Sequence, residues 1–353
     1  MRDRFVHSVW YGDGFDALIA RAALTPFEWL YGAASAVHGA WRGSRAERPT
    51  LPTVSVGNIT VGGTGKTPVA AWFAAQLRVR GMAPAVLLRG YGDDEARVHA
   101  RLNPDVPVFA NADRRASAAL AATGGARSLV LDDAFQHRQM PRHADIVLVS
   151  ADVWHEPPRL LPAGPFRESP TALRRADLII VTRKAASAER AAAVAAQLAR
   201  IAAHVPVAVM HLALDGIVSW TRGADAAPLE ALRGQRVLAV CGIGAPDAFF
   251  SQLRGAGAVV DGAAFGDHHA YDAQDVRTLA ARAATADRVV CTLKDAVKLG
   301  PLWPAVSSEL WYLSQSIVVE TGSGNVEALL DRLVHTMALP TPAPTGPASD
   351  SHG

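Results

Sequence analysis

Short apolar runs recur along this chain at intervals that leave room for a helix between them. Because the runs are continuously apolar and rich in branched side chains, they are typical of buried strands in a parallel sheet. The first contains Val54 and Val56 and ends at Gly57-Asn58. Further strands are predicted at 85–88, 106–109, 128–131, 145–149 and 177–181, with helices at 68–80 and 186–201. This alternation predicts an α/β fold with helices on both faces of a mostly parallel sheet.

A second set of strands and helices is predicted in the C-terminal part of the chain. Strands are expected at 236–241, 288–292 and 310–319, and helices at 246–255, 273–284 and 325–337. Between the two sets, extended segments at 206–214 and 216–220 meet at Asp215-Gly216, a dipeptide favoured in tight turns. The pattern predicts a first α/β domain at 51–208, a two-stranded linker at 209–222 and a smaller α/β domain at 223–338, which can share elements with the first. The tail at 339–353, rich in Pro, Thr, Ser and Gly, is predicted to be disordered.

Residues 1–50 form a separate N-terminal segment that is apolar from about Phe15 to Trp41 but interrupted by charged residues and Pro26. Its longest uncharged stretch, 29–41, has 13 residues, fewer than the roughly 20 that a membrane-spanning helix needs. Aromatic side chains and a group of arginines suit a helix lying in the headgroup region of an anionic membrane. The alternative is a helix packed on the protein's own core. The residues concerned are Phe27, Trp29, Tyr31, Trp41, Arg42, Arg45 and Arg48.

Composition limits the classes of protein to consider. With 353 residues, 50% of them hydrophobic and 19% charged, the chain can bury a large core in two or three domains. A net charge of +2 is too small to indicate a nucleic-acid partner. Cys241 and Cys291 each lie in an apolar run, which fits buried thiols in a reducing compartment better than a disulfide or metal site. The first 14 residues are polar and charged, so no cleavable signal peptide is expected.

A glycine-rich loop follows the first strand and leads into a helix. It runs through Thr60, Val61, Gly62, Gly63, Thr64, Gly65, Lys66 and Thr67. Such a loop turns backbone N–H groups toward a phosphate, while Lys66 reaches the β- and γ-phosphates and Thr67 holds Mg²⁺. Thr60 replaces the usual first glycine, and Gly62-Gly63 partly compensates. We therefore predict a P-loop NTPase-like fold that binds a nucleoside triphosphate, rather than a glycine-rich turn that binds nothing.

Carboxylates follow two of the predicted strands. Asp132-Asp133 ends the strand at 128–131, where P-loop enzymes take a second hold on Mg²⁺. The alternative for this pair is a solvated acidic turn. Asp93-Asp94-Glu95 follows the strand at 85–88 and is expected to be exposed, either as a plain turn or as the acceptor of a proton from an attacking hydroxyl.

A third cluster is Asp267-His268-His269. Zinc is not expected there because no cysteine or further histidine lies nearby, so we favour a histidine that an aspartate orients over a simple helix N-cap. Two more segments carry paired charges, 160–168 with Arg167-Glu168 and 292–299 with Lys294 and Lys298. Taken singly, each of these two is interpreted as structural.

Six runs together resemble the tetraacyldisaccharide 4′-kinase family, the lipid A 4′-kinases of Gram-negative bacteria. They are 56–68, Arg89-Gly90-Tyr91-Gly92, 132–137, 161–168, 265–269 and 292–299, and they span roughly residues 10–335 in family order. This family has Ser or Thr where Thr60 stands, so the irregular loop supports the resemblance.

The resemblance implies transfer of the γ-phosphate of ATP, with Mg²⁺, to the 4′-hydroxyl of tetraacyldisaccharide 1-phosphate, giving lipid IVA. It also implies two α/β domains with the active site between them, and a membrane-associated N-terminal helix. The expected partners are the lipid A disaccharide 1-phosphate and the cytoplasmic face of the inner membrane, without nucleic acid, and the protein is expected to be a monomer.

The resemblance also assigns roles to residues. Lys66 and Asp133 are catalytic, Thr67 and Asp132 hold the metal, and Asp94 fits the family's catalytic carboxylate, with His268 assisting it. The substrate residues are expected to be Asn58, Arg89, Gln136, His137 and Arg167.

Departures from the family pattern leave some choices open. The segment before Asp94 is short, with Asp93 in place of Gly and Ala96 in place of Pro, so Asp93 remains an alternative base. His269 likewise remains an alternative to His268. Ala134 replaces a Gly, and Leu293 replaces a Glu.

Two other functions remain as alternatives. A regulatory or metal-chaperone P-loop NTPase predicts a dimer and a Cys/His metal site, for which this chain offers no cysteine cluster. A kinase of a soluble small molecule leaves the apolar N-terminal segment unexplained.

Overall fold

The computed structural model describes residues 2–43, 51–90, 94–140, 142–223, 225–244, 246–305 and 307–338. The first part of the chain contains α1 Arg2–Tyr11, α2 Phe15–Gly43, β1 Thr53–Asn58, α3 Lys66–Val79, β2 Pro84–Leu88, α4 Asp94–Leu102, β3 Val108–Ala110, α5 Arg114–Thr123, β4 Ser128–Asp132, β5 Ala144–Ser150, β6 Leu178–Arg183 and α6 Ala188–Ile201. The second part contains β7 Val207–Ser219, β8 Ala226–Ala227, β9 Arg236–Cys241, α7 Pro246–Gly255, β10 Val259–Ala264, α8 Ala273–Ala283, β11 Arg288–Cys291, α9 Leu293–Leu299, β12 Leu310–Thr321 and α10 Ser323–Ala338.

Twelve strands of the described chain form one sheet in the order β10-β9-β11-β12-β7-β6-β5-β1-β4-β2-β3, with β8 paired to β7. Neighbouring strands are parallel except where β7 pairs with β12 and with β8. Val56 of β1 lies beside Asp132 of β4 on one side and Ile146 of β5 on the other. Parallel strands end at the same edge, so the glycine-rich loop after β1 begins next to Asp132. The predicted α/β class and mostly parallel sheet are confirmed.

Helices cover both faces of the sheet. Alternate residues of a strand point to opposite faces, and in β5 Ile146 packs with Phe73 of α3 while Val147 packs with Leu198 of α6. Helix α10 joins α3 on the first face through Leu330. Burying each of these large side chains contributes about 1.5–3 kcal/mol, which explains why the apolar runs alone locate these strands.

The tight turn predicted at Asp215-Gly216 is wrong, because β7 continues through both residues. The ladder with β12 shifts register there, and Asp215 is the additional residue between Gly216 and Leu214. Gly216 is needed at this point because a Cβ would lie 2.4 Å from the main-chain oxygen of Ala227. One sheet thus runs through both predicted domains, while the boundaries drawn between them remain a prediction.

Helix α4 and strand β10 are not predicted by the sequence pattern, for different reasons. Helix α4 buries Asp94 and His99 together with Val98, so polar residues occupy its inner face and no apolar stripe marks it. Strand β10 is the last strand at one edge of the sheet, and most of its residues are exposed. Its sequence therefore lacks the continuous apolar run that identified the central strands.

Helix α2 confirms the helix expected between Phe15 and Trp41. It contacts the loop before the first short 3₁₀ helix: Glu28 Oε1 accepts from the backbone N–H of Leu160 at 2.7 Å, and Glu28 Oε2 lies 3.2 Å from Arg159. Trp10 of α1 donates to the carbonyl of Pro162 at 3.0 Å. Within the described ranges, no helix is both long enough and apolar enough to cross a membrane. The predicted disordered tail, Arg45 and Arg48 lie outside the described residues.

Candidate functional site

The glycine-rich loop is held in shape by its neighbours. Gly62 and Gly65 have φ values of 111° and 85°, which side chains other than glycine rarely adopt. The buried hydroxyl of Thr64 accepts from Asn58 Nδ2 at 3.0 Å, and the Thr64 carbonyl accepts from Thr182 Oγ1 at 2.8 Å. Helix α3 begins at Lys66, so its free N–H groups face the loop. This is the geometry of an anion site at a helix N-terminus.

Thr60 fits this loop without glycine because the chain is extended there. Thr60 forms an antiparallel bridge with Phe166, and the backbone N–H of Val61 donates to Pro165 at 2.8 Å. The backbone N–H of Arg167 donates to the carbonyl of Ile59 at 2.7 Å. The segment 159–167 therefore packs along the glycine-rich loop. Its role is not only structural, as the segment alone suggested, because it also holds the loop that is expected to bind the nucleotide.

Lys66 and Asp133 meet in the site. Lys66 Nζ lies 3.8 Å from Asp133 Oδ1, which also lies 3.0 Å from Arg167. Burial lowers the pKa of Lys66, and the negative charge of Asp133 partly opposes that effect. Burial disfavours ionised Asp133, but Lys66 and Arg167 outweigh it and keep the pKa of Asp133 below its ordinary value. The two cations therefore favour the ionised form of Asp133 beside the loop.

Asp132 is almost fully buried at the end of β4. Its Oδ2 lies 2.9 Å from Nε2 of His99, while its Oδ1 has no hydrogen-bond partner among the described residues. Thr67, at the start of α3, is also buried. A buried carboxylate oxygen without a partner at the end of β4, and a threonine hydroxyl at the start of α3, are oxygen ligands of the kind that Mg²⁺ prefers.

Asp94 and His268 meet across the site although 174 residues separate them. Asp94 begins α4 and is 8% exposed, and its Oδ2 lies 3.1 Å from Nδ1 of His268. The expectation of an exposed acidic turn is wrong for Asp94, while Asp93 lies outside the described residues. His269 instead contacts Asp275 at 2.7 Å, in the cap of α8. Of the two histidines, His268 is the one that the fold brings to Asp94.

A buried carboxylate supports the loop that carries His268. Asp295 is 0% exposed, and its Oδ1 accepts from the backbone N–H of Gly242 and from Tyr271, each at 3.0 Å. The Gly242 carbonyl in turn accepts from the backbone N–H of His268 at 3.2 Å. Burial and the charge of Asp295 raise the pKa of Tyr271, which keeps its hydroxyl a donor.

The predicted substrate residues fall into two groups. Asn58 contacts both Gln136 and Arg167: Gln136 Nε2 donates to the Asn58 carbonyl at 2.7 Å, and Arg167 donates to Asn58 Oδ1. His137 instead lines an open surface cavity beside Arg114. Arg89 is exposed just after β2. The site therefore gathers three of the five, and their contacts with a substrate remain predictions.

Comparison with known proteins decides the family. The family model described as tetraacyldisaccharide-1-P 4′-kinase matches residues 20–105 and 93–335. A tetraacyldisaccharide 4′-kinase of Anaeromyxobacter sp. (strain K) is 36% identical over 381 residues, covering 98% of this chain and 99% of that protein. The same enzyme of Xanthomonas euvesicatoria pv. vesicatoria (strain 85-10) is 35% identical over 347 residues, covering 92% and 94%. This chain belongs to the tetraacyldisaccharide 4′-kinase family.

The fold agrees with that of a solved family member. The crystal structure of the "apo" form of LpxK from Aquifex aeolicus in complex with ATP matches with a TM-score of 0.69 and 23% identity, covering 89% of this chain and 99% of that one. The 4′-kinase family recognised from the sequence motifs is thus confirmed, together with the P-loop-type α/β fold.

Two departures from the 4′-kinase pattern can now be located. Ala134 is fully buried, and its φ is not positive, so it does not need glycine. Leu293 opens α9 in the place of the family's Glu, and Thr292 caps that helix by accepting from the backbone N–H of Asp295. The capping contact does not involve Leu293, which explains how the helix start tolerates it.

Three further residues of the candidate site were not predicted from the sequence. Buried Arg114 donates to the carbonyls of Asp132 at 2.7 Å and Asp133 at 3.2 Å, which fixes the turn where Asp133 has a φ of 48°. Lys184 Nζ donates to the Gly63 carbonyl at 3.3 Å. His99 holds Asp132. Each of the three acts on a residue distant in sequence, so no local pattern marks it.

Proposed function

We propose that this protein transfers the γ-phosphoryl group of ATP to the 4′-hydroxyl of tetraacyldisaccharide 1-phosphate, giving lipid IVA. The observation that carries the proposal is the 3.1 Å contact between Asp94 and His268. Charge effects support a position of this pair near Lys66: burial, the largest effect, lowers the pKa of Lys66, and Glu95, the residue after Asp94, is among the carboxylates that oppose that effect. Burial also raises the pKa of Glu95, and the charge of Asp132 raises it further. Within this family, such a pair is suited to activate a sugar hydroxyl.

In the proposed reaction, Asp94 accepts the proton of the 4′-hydroxyl as its oxygen bonds to the γ-phosphorus. The bond from that phosphorus to the bridging oxygen breaks, and ADP leaves. His268 orients the Asp94 carboxylate through the contact at 3.1 Å. In this reaction, Lys66 and the N–H groups at the start of α3 would stabilise the charge that develops on the phosphates. Preorganised charge of this kind is the main catalytic contribution in phosphoryl transfer.

We propose that Thr67 and Asp132 hold Mg²⁺. The unpartnered Oδ1 of Asp132 supports this assignment, and Mg²⁺ usually takes its remaining ligands from phosphates and water. When bound, the ion neutralises charge on the β- and γ-phosphates. The protein's part in this proposal is to keep one buried oxygen of Asp132 available for the ion.

The activity is tested with the purified full-length chain, ATP and tetraacyldisaccharide 1-phosphate. The Asp94→Asn variant is expected to lose about 10²–10⁴-fold in kcat, the usual share of a general base, with little change in ATP affinity. The matched control is Asp105→Asn, because Asp105 forms only an exposed ion pair with Arg78. A wild-type chain that labels the deacylated disaccharide as well as the lipid would instead indicate a soluble acceptor.

We propose that the protein works at the cytoplasmic face of the inner membrane, with α2 as its membrane-associated element. Phe15, Phe27, Trp29, Leu30 and Val37 of α2 are each at least 60% exposed. Exposed apolar surface of this extent marks an interaction site. Asp94 and His268 come from the same chain, which supports a monomer of 37.2 kDa as the active species.

Vesicle partition tests the membrane proposal. Replacing Trp29 and Leu30 by Ser is expected to reduce partition onto anionic vesicles and leave the ATP affinity unchanged. Val79→Ser is the matched control, because Val79 is 82% exposed on α3, outside the N-terminal helices. If the control lowers partition as much as the double variant does, α2 is not the element that binds.

A further inference from the structure

We infer that His99 is a positioning residue, which orients the Asp132 carboxylate so that one of its oxygens faces the metal. This inference rests on the proposed function, since it takes Asp132 as the ligand of Mg²⁺. In this arrangement His99 binds Oδ2 of Asp132, and Oδ1 is left to bind the cation.

The contact is buried and specific. His99 and Asp132 are 1% and 3% exposed, and Nε2 of His99 lies 2.9 Å from Oδ2 of Asp132. Throughout the described ranges no other group contacts that carboxylate with a hydrogen bond. Arg114, a buried cation, donates instead to the main-chain carbonyl of Asp132. A single donor therefore determines how the Asp132 carboxylate is turned.

The hydrogen bonds also indicate which ring nitrogen carries the proton. An ionised carboxylate only accepts, so Nε2 of His99 is the donor. Nδ1 is buried and has no partner among the residues that the structure describes. Donation from Nε2 thus orients the Asp132 carboxylate and leaves its Oδ1 available to a cation.

Helix α4 also links His99 to the proposed base for the lipid acceptor. Asp94, the proposed base, begins the helix, and His99 lies five residues later on the same rigid element. The helix thus fixes the position of the base relative to the metal ligand on β4. Partners that hold a ligating carboxylate are usually worth 10- to 100-fold in metal affinity or activity.

The test measures the Mg²⁺ dependence of nucleotide binding, without the lipid acceptor. A fluorescent ATP analogue is titrated into each variant at a series of MgCl₂ concentrations and again in EDTA. His99→Leu removes the donor and keeps an apolar side chain of similar size. His99→Gln keeps an N–H at about the reach of Nε2, while the shorter amide of His99→Asn falls short of Oδ2. Val98→Ala loses buried packing on the same helix without touching Asp132.

We expect His99→Leu and His99→Asn to raise the half-saturating Mg²⁺ concentration about 10- to 100-fold, while binding in EDTA stays unchanged. His99→Gln returns the midpoint toward wild type, and Val98→Ala leaves it unchanged. The inference is overturned if the Leu and Asn variants titrate like wild type, if Gln fails as Leu does, or if Val98→Ala shifts the midpoint equally. If the Leu variant does not fold, the comparison of Gln with Asn decides. Failure to phosphorylate the lipid would refute the proposed function and leave this binding result intact.

Discussion

At the scale of single residues, Asp295 shows how a fully buried charge organises a loop 53 residues away. Its two oxygens accept from Gly242, Tyr271 and Thr292, and Lys298 lies 3.7 Å from Oδ1. A carboxylate that satisfies three donors at once is costly to replace, because each donor left without an acceptor in the interior destabilises the fold. The His268 loop depends on this carboxylate through Gly242.

We expect Asp295→Asn to lower the free energy of unfolding by about 2–3 kcal/mol, since the amide accepts fewer hydrogen bonds and leaves Lys298 without its anion. It should also lower kcat, because the backbone that positions His268 loosens, and leave ATP affinity near wild type. Urea unfolding, kcat and nucleotide binding measure these effects. Asp261→Asn, at an exposed position on β10, is the control. A loss of ATP affinity equal to the loss of kcat would contradict this account.

At the scale of elements, helix α4 connects the two parts of the chain. Its first residue contacts His268, and its Arg101 reaches the end of β7, donating to the carbonyls of Ser219 at 3.1 Å and Trp220 at 3.0 Å. The Arg101 guanidinium also lies 4.8 Å from the Trp220 ring centre and 5.5 Å from that of Tyr312. Both ends of the helix are thus anchored in the second part of the chain.

We expect Arg101→Leu to lower kcat several-fold and the free energy of unfolding by about 1–2 kcal/mol, the sum of a partly buried cation–π contact and two charged hydrogen bonds. ATP binding should hold, because the glycine-rich loop belongs to another element. Steady-state kinetics beside nucleotide titration separate the two effects. Arg78→Leu on α3 serves for comparison, since Arg78 is 55% exposed. If Arg101→Leu and Arg78→Leu have equal kcat, the proposal that Arg101 anchors helix α4 is wrong.

The elements also show what could be learned from the sequence. Strands β1, β4, β5 and β6 were located because apolar residues fill both of their faces. Helix α4 was not, because its buried face carries Asp94 and His99, whose partners lie on distant segments. The glycine-rich loop and Asp132-Asp133 follow strands directly, so local pattern was enough to find them. The pairing of His268 with Asp94, and of His99 with Asp132, needed the tertiary fold.

At the scale of the whole molecule, one ion pair joins strands from the two parts of the sheet. Arg183 ends β6, and its Nε lies 2.7 Å from Oε2 of Glu320 on β12, with a second contact to Oε1. This bidentate hydrogen bonding, followed by the charge of Arg183, lowers the pKa of Glu320 despite partial burial. A group whose pKa is lower in the folded state stabilises the fold above its unfolded pKa and loses that effect as the pH falls through the folded value.

Glu320→Gln should therefore lower the free energy of unfolding by about 1 kcal/mol near pH 7. The difference from wild type should disappear as the pH falls below the unfolded-state pKa of ~4.3 and through the lower folded-state value. Urea unfolding at neutral and acidic pH measures this, with Glu230→Gln on a short 3₁₀ helix as the control. If the difference in free energy of unfolding between the variant and wild type grows as the pH falls, the Arg183–Glu320 pair does not stabilise the fold in the way described.

The contact of Glu28 with Leu160 has a practical consequence for anyone who shortens this protein. Helix α2 supports the segment 159–167, and that segment supplies the strand-like partner of Thr60 and Val61 in the glycine-rich loop. Removing the N-terminal helices to obtain a better-behaved sample would therefore also remove the brace behind the nucleotide pocket. A truncated chain of this kind is a poor reference for the catalytic power of the intact enzyme.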